Sequence, residues 1–282
     1  MKSPLKILKK YHVRPVKRLG QSFLVDNNIT SRIVDASKIS GDDTVVEIGA
    51  GLGSMTLMIS ERAKKVVAIE IDPKLVVVLN EELRDLANVE IIHKDVLRYD
   101  FSPSIRGGER IKVIGNIPYN VSSQILFRLI EFREHISSVT LMFQKEVADR
   151  IMASPGTKEY GILSVIVSMY MVPARIMTVP STCFHPKPKV DSTVLKMDTR
   201  ERPLYPLENH DIFLKTVKAA FSKRRKTLAN NLKDMDTVCS MGMNVSSLLV
   251  EAGIDGRRRG ETLTVEEFGR LAETILRATQ NQ

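Results

Sequence analysis

Over the first two thirds of the chain, short runs of β-branched and aliphatic residues alternate with stretches whose apolar residues recur every three or four positions. Such an alternation of periods predicts strands and helices in turn, an α/β fold containing βαβ units. Strands are expected at residues 44–48, 66–71, 89–92, about 113–116, 139–143, 162–169, 175–179 and 192–197. A helix capped by Asn27 or Asn28 should run to about residue 37 with Ile29, Ile33 and Val34 on its buried face. Further helices are expected at 54–62, 123–132 and 145–153. After a mixed-charge segment with two prolines the pattern turns wholly helical, at 211–232, 246–252 and 265–278. The expected organisation is therefore a tail over 1–18, an α/β domain over 19–198, a linker over 199–206 and a smaller helical domain over 207–282.

A chain of 282 residues has room for two such domains. It holds no apolar run of membrane-span length, and its basic start lacks the apolar core of a signal peptide, so a cytoplasmic protein without a membrane partner is expected. Two cysteines, Cys183 and Cys239, and five scattered histidines offer no ligand spacing, so neither a metal nor a disulfide is expected.

Net charge is +9, and residues 1–25 alone carry seven Lys or Arg and no acid. An excess concentrated in one tail suits phosphate contacts, with Lys9, Lys10, Lys17 and Arg18 as the candidates. A second cluster, Lys223, Arg224, Arg225 and Lys226, interrupts the apolar stripe of the 211–232 helix, and its spacing puts Arg224 on that stripe.

The candidate chemistry gathers at successive strand ends. The 44–48 strand runs straight into Gly49, Ala50, Gly51, Leu52, Gly53, and the helix follows at once. The dinucleotide fingerprint would need its third glycine where Ser54 stands, so a ligand lying close to bare backbone is expected rather than a pyrophosphate. Glu70 lies 21 residues beyond Gly49 at the tip of the next strand, the distance at which an acid grips a ribose diol. Asp95 follows the third strand, placed to accept from an adenine amino group. The fourth strand ends in Asn116, Ile117, Pro118, Tyr119. An adenine amino nitrogen has its lone pair delocalised into the ring and attacks only when acceptors hold its hydrogens in a tetrahedral arrangement. The Asn116 amide oxygen and the Ile117 carbonyl can be those acceptors, and Tyr119 offers a face for an unstacked base.

Together these residues resemble S-adenosylmethionine-dependent methyltransferases acting on adenine amino nitrogens. The resemblance narrows with Gly20 to Leu24, Asn116 to Tyr119, Phe184 with Pro186 to Ser192, and Arg224 to Thr227, which in this order look like the small-subunit ribosomal RNA adenine dimethyltransferases. The resemblance implies a Rossmann-like methyltransferase domain with a helical RNA-binding C-terminal domain, S-adenosyl-L-methionine as cofactor, and N6,N6-dimethylation of two adjacent adenosines near the 3′ end of small-subunit rRNA. The partner implied is that rRNA within a pre-ribosomal particle, met by a monomer. By position it assigns the cofactor to Gln21, Ser22, Leu24, Gly49, Gly51, Glu70, Asp95 and Asn116. It assigns the catalytic loop to Asn116, Pro118 and Tyr119, with Phe184 facing the base from the other side. Ile117 replaces the usual leucine, Leu19 stands where an aromatic is common, and Ser22 where asparagine is frequent; only Ser22 touches cofactor affinity.

Three rivals remain at this stage. A large-subunit rRNA dimethyltransferase shares the catalytic loop, but the Pro186 to Ser192 and Arg224 to Lys226 stretches favour the small subunit. DNA adenine methylases usually carry Asp and two prolines where this chain has Asn116, Ile117, Pro118. A non-catalytic assembly factor would have no use for Gly49, Glu70, Asp95 and Asn116 together.

Overall fold

The computed structural model describes residues 3–102 and 109–280. The first two residues of the expected tail and the last two of the expected helical domain lie outside them. The chain forms two compact units, Met1–Ala148 with Pro173–Thr199, and Asp149–Val172 with Arg200–Gln282. Residues 149–172, expected in the α/β domain, thus group with the second unit.

In chain order the elements are α1 (Pro4–Lys10), β1 (Phe23–Leu24), α2 (Asn27–Ala36), β2 (Thr44–Ile48), α3 (Ser54–Ser60), β3 (Lys65–Glu70), α4 (Pro73–Glu82) and β4 (Val89–His93). Then come β5 (Ile111–Asn116), α5 (Ser122–Glu131), β6 (Ile136–Gln144), α6 (Lys145–Ile151), α7 (Ile162–Tyr170), β7 (Met171–Val179), β8 (Phe184–His185) and β9 (Ser192–Thr199). The chain closes with α8 (His210–Ala220), α9 (Leu228–Leu232), α10 (Asp236–Ser240), α11 (Val245–Glu251) and α12 (Val265–Gln280).

Seven strands form one sheet in the order β4-β3-β2-β5-β6-β9-β7. Strands β4, β3, β2, β5 and β6 are mutually parallel, and β9 runs antiparallel to β6. Their residues read as near-continuous apolar runs because a parallel sheet is covered on both faces: Val45, Val46, Val66, Val67, Ala68, Val113 and Ile114 are all buried. Chain order reverses at β2, which pairs with β3 on one side and β5 on the other. Open α/β sheets bind ligands beyond the strand ends at such a switch point.

Gly115 sits opposite Ile48 in that central pairing, where a Cβ would stand 2.4 Å from the Ile48 carbonyl oxygen. Backbone cannot swing aside as a side-chain tip can. Gly115→Ala is therefore expected to force β2 and β5 apart, costing about 1–3 kcal/mol as overpacking does, and to displace Asn116 with them. Urea denaturation checks the first effect and cofactor titration the second; an unchanged midpoint would mean the pairing has slack.

Several expectations are corrected by packing. The expected tail over 1–18 contains a packed helix, α1, which buries Ile7 and Leu8 against Phe23, Leu52, Leu75 and Val78. Lys10 is taken up by Glu82 at 2.8 Å and Glu81 at 3.4 Å. The cap of α2 is Asp26, whose carboxylate accepts from the Asn28 and Ile29 N–H groups, rather than either asparagine. Helix α4 was not among the expected elements; its Val76, Val77, Val78 run hides the helical period, while Pro73 and the Asp72 cap start it.

Residues 162–169 are helix, not strand. All but two of the nine residues of α7 are apolar or aromatic and seven are buried, and a fully buried run has no exposed face from which to read a period. Ser164 starts it, accepting from the Gly161 N–H at 3.1 Å and donating to the Arg150 carbonyl at 2.5 Å.

The single helix expected over 211–232 is two, because α8 stops at Ala220 and Thr227 caps α9. Asn231 donates its amide hydrogens to the Ala220 and Lys223 carbonyls, and Gly260 packs so tightly there that a Cβ would meet the Ala220 oxygen at 2.7 Å. With the C-terminal carbonyls of α8 so occupied, Lys223 to Lys226 lie in an exposed turn. Arg224 accordingly leaves the apolar stripe and donates to the Lys158 carbonyl at 2.6 Å, with Glu261 at 3.4 Å.

Candidate active site

A cleft opens beyond the C-terminal ends of β2, β3 and β5, walled on one side by the segment from Arg18 to Phe23. Its floor is the glycine turn. Gly49 has φ +74 and Gly51 φ +58, and a Cβ on Gly49 would lie 3.3 Å from the Asn116 carbonyl. Side chains are therefore excluded on conformational grounds, and a ligand meets bare backbone.

Glu70 ends β3 with only 5% of its surface exposed. Its Oε2 accepts from the Gly51 N–H and its Oε1 from the Ile71 and Asp72 N–H groups, all at 2.9 Å. Burial pushes its carboxyl above the ordinary value, and the three N–H groups pull the other way. The carboxylate is thus fixed in position, with lone pairs left for hydroxyl donors in the cleft. Beside it Ile71 is 41% exposed, an apolar surface for a planar ring. Asp95 spends Oδ1 on the Leu97 N–H at 3.0 Å and lines the same cavity with Val96 and Leu97.

Asn116, at the tip of β5, donates its Nδ2 hydrogen to the Ser22 carbonyl at 3.1 Å. That bond orients the amide, leaving Oδ1 as the acceptor for a donor in the cleft. Ile117, Pro118 and Tyr119 continue the wall. The Tyr119 hydroxyl lies 2.5 Å from Ser192 Oγ, and burial raises its pKa.

The expected site residues divide accordingly. Gln21, Ser22, Gly49, Gly51, Glu70, Asp95, Asn116, Pro118 and Tyr119 line one cavity. Leu24 and Phe184 do not; they pair across the β1–β8 ladder and are buried in the apolar cluster with Ile33 and Val194. Gln21 turns its side chain to brace the wall, donating to Asp72 at 2.7 Å and accepting from the Val16 N–H at 2.8 Å. Ser22 donates its hydroxyl to the Pro186 carbonyl at 2.8 Å. Sequence reasoning missed Ile71, Val96 and Leu97, whose only signal is an aliphatic residue just past an acidic strand tip. Outside this cavity, Glu47, the wholly buried penultimate residue of β2, was also passed over; burial pushes its carboxyl up to about 8.

Of the candidate RNA contacts, Lys9, Lys17 and Arg18 are exposed, and Arg18 borders the cleft. In the second unit the Leu228 and Ala229 N–H groups bond the Arg258 and Gly256 carbonyls, at 2.7 and 3.1 Å. The turn at 223–226 is thereby stitched to a loop carrying exposed Arg257 and Arg259, which the run of three arginines could have signalled. Among the described residues no group of three or more His, Cys, Asp and Glu could hold a metal ion, and no helix is long and apolar enough to cross a membrane.

Comparison with known proteins gives one consistent result. A family model described as ribosomal RNA adenine dimethylase matches residues 14–275. A protein named ribosomal RNA small subunit methyltransferase A from Syntrophus aciditrophicus is 47% identical over 272 residues, covering 95% of this chain and 97% of its own. One of the same name from Alkaliphilus oremlandii is 44% identical, covering 97% and 96%. Among solved structures, a dimethyladenosine transferase from Plasmodium falciparum superposes with a TM-score of 0.74 at 26% identity, covering 87% of this chain and 94% of that one. The 23S rRNA methyltransferase ErmE gives 0.66, also at 26% identity, covering 90% and 99%.

Proposed function

Because this chain belongs to the ribosomal RNA adenine dimethylase family, we propose that it uses S-adenosyl-L-methionine to dimethylate the N6 amino groups of two adjacent adenosines near the 3′ end of small-subunit rRNA. It is an rRNA adenine dimethyltransferase; the cofactor, the two target nucleotides, a pre-ribosomal particle as substrate, a monomeric state and a cytoplasmic location are the finer reading. The observation that carries it is the orientation of Asn116: with Nδ2 held by the Ser22 carbonyl, Oδ1 stands ready beside a cavity that also presents Glu70 and Asp95.

The cavity suits that cofactor. Glu70 is a fixed acceptor for a ribose diol, Ile71 a surface for adenine, Asp95 an acceptor for its amino group, and the Gly49 turn a place where only backbone meets the methionine end. When bound, the cofactor supplies a methyl group already activated by a sulfonium. The chain has then to align the target nitrogen with it and hold the geometry. Asn116 Oδ1 and the Ile117 carbonyl accept both amino hydrogens in the first transfer and the one that remains in the second, draw the nitrogen toward a tetrahedral form and stabilise the positive charge that grows there until a proton leaves to solvent. Tyr119 supports the ring of the base.

The test is incubation of labelled cofactor with small-subunit particles from a strain lacking the protein, with mass spectrometry of the rRNA. Dimethyladenosine near the 3′ end is the expected product. Methyl incorporation into large-subunit rRNA alone would favour the ErmE-like activity, and none at all a binding role. The 42–47% identity to small-subunit enzymes weighs against both.

Contacts with RNA are proposed at Lys9, Lys17, Arg18 and Arg225, with Lys10 set aside because Glu82 holds it. Replacing Lys9, Lys17 and Arg18 by alanine is expected to lower the log–log salt slope of binding by about 0.7–0.9 for each phosphate no longer neutralised. Arg225→Glu should weaken binding likewise while leaving the cofactor dissociation constant unchanged. A slope unaltered in both folded variants would place the RNA elsewhere.

A further inference from the structure

We propose that Ser192 is a positioning residue for methyl transfer, acting through Tyr119. This rests on the reading that Tyr119 supports the target base. Ser192 opens β9, is fully buried and faces Gln144 across the β6–β9 ladder, so its hydroxyl cannot wander. The residue before it is pinned on two sides: the Asp191 carboxylate accepts from the Ser181 N–H at 2.9 Å, and its carbonyl accepts from the Lys145 N–H at 3.0 Å. At the far end of this rigid stretch, Ser192 Oγ meets the Tyr119 hydroxyl at 2.5 Å.

Tyr119 is thereby held at both ends. Its carbonyl accepts from the Ser122 hydroxyl at 3.1 Å at the start of α5, and its ring tip is tied to the sheet. A phenol that leaves water needs such a partner, and a ring tied at the tip cannot turn about χ1 without breaking the bond. The position of the ring axis is therefore set before any base arrives. Since a flat face guides a base only if it stands where the base arrives, Ser192 positions the platform beside Asn116 and Ile117. Among the described residues no hydrogen bond joins this pair to the glycine turn or Glu70, so loss of the pair is expected to leave those contacts in place.

The experiment is a double-mutant cycle on the full-length protein, using the small-subunit particle. Ser192→Ala and Tyr119→Phe each remove the bond and keep both frameworks. Each is expected to slow single-turnover transfer about tenfold at saturating RNA and cofactor, the scale of one hydrogen bond expressed at the reacting geometry. The double variant should be no slower than either single, cofactor affinity should stay within about twofold, and Ser192→Thr should recover most of the rate. Additive losses, a wild-type rate for Ser192→Ala, or a loss confined to melting temperature with no change in rate would overturn the assignment. Failure of the underlying reading is distinct, since the wild-type protein would then give no dimethyladenosine on this particle.

Discussion

Replacing Asn116 by alanine is expected to slow methyl transfer about 100- to 1,000-fold while RNA still binds, by analogy with the loss of one preorganised oxyanion-hole donor. The acceptor matters most as the nitrogen becomes tetrahedral and positive, so its removal raises the barrier more than it weakens the ground state. The bond to the Ser22 carbonyl makes Asn116→Asp the sharper variant. Aspartate keeps an acceptor toward the base but sets a second oxygen against a carbonyl that needs a donor. Its activity should fall between wild type and alanine and rise as pH is lowered, because the protonated carboxyl can donate to Ser22. Single-turnover kinetics with mass spectrometry of mono- and dimethyladenosine would measure both. Near-wild-type dimethylation by the alanine variant would overturn the mechanism.

Glu70→Ala is expected to weaken S-adenosylmethionine binding at least 100-fold. Two charge-assisted bonds to a ribose diol are worth about 1.5–3 kcal/mol each. The structure adds a second cost, for the Gly51, Ile71 and Asp72 N–H groups lose their common acceptor and the floor of the cleft loosens. Glu70→Gln separates the two: it keeps an acceptor oxygen but no charge, and should lose less affinity and less thermal stability than alanine. RNA binding should be unaffected in both. Calorimetry that finds unchanged cofactor affinity in the alanine variant would remove Glu70 from the site.

The cleft was legible because its parts are local. A strand, a glycine turn and an acid at the next strand tip each leave a mark within a few residues, and Gly49, Glu70, Asp95 and Asn116 converge as their positions implied. What escaped depends on contacts distant in sequence. Nothing near Ser192 announces Tyr119, nothing near Ser22 announces Asn116, and the burial of Phe184 follows from its pairing with Leu24. Two of the errors of secondary structure have the same origin. Burial on every side hid the helical period of α7, and the Asn231 side chain, eleven residues from Ala220, broke a helix that local pattern continued.

The wall that completes the cleft is closed by a partner far down the chain, since Phe23 and Leu24 pair with His185 and Phe184, and Ser22 bonds Pro186, 164 residues away. During synthesis from the N-terminus, the glycine turn, Glu70, Asp95 and Asn116 all leave the ribosome before that partner exists. The growing chain can lay down β2 to β6 early, and Gln21 can reach Asp72 and Asn116 the Ser22 carbonyl, yet the 20–24 segment lacks its strand partner until β8 emerges. Long-range pairings of this kind form late and set the pace of folding. The enzyme is thus assembled in an order that leaves the wall of its cleft unpaired until most of the sheet is in place, and a chain cut short before β8 carries the chemical groups with that wall unfinished.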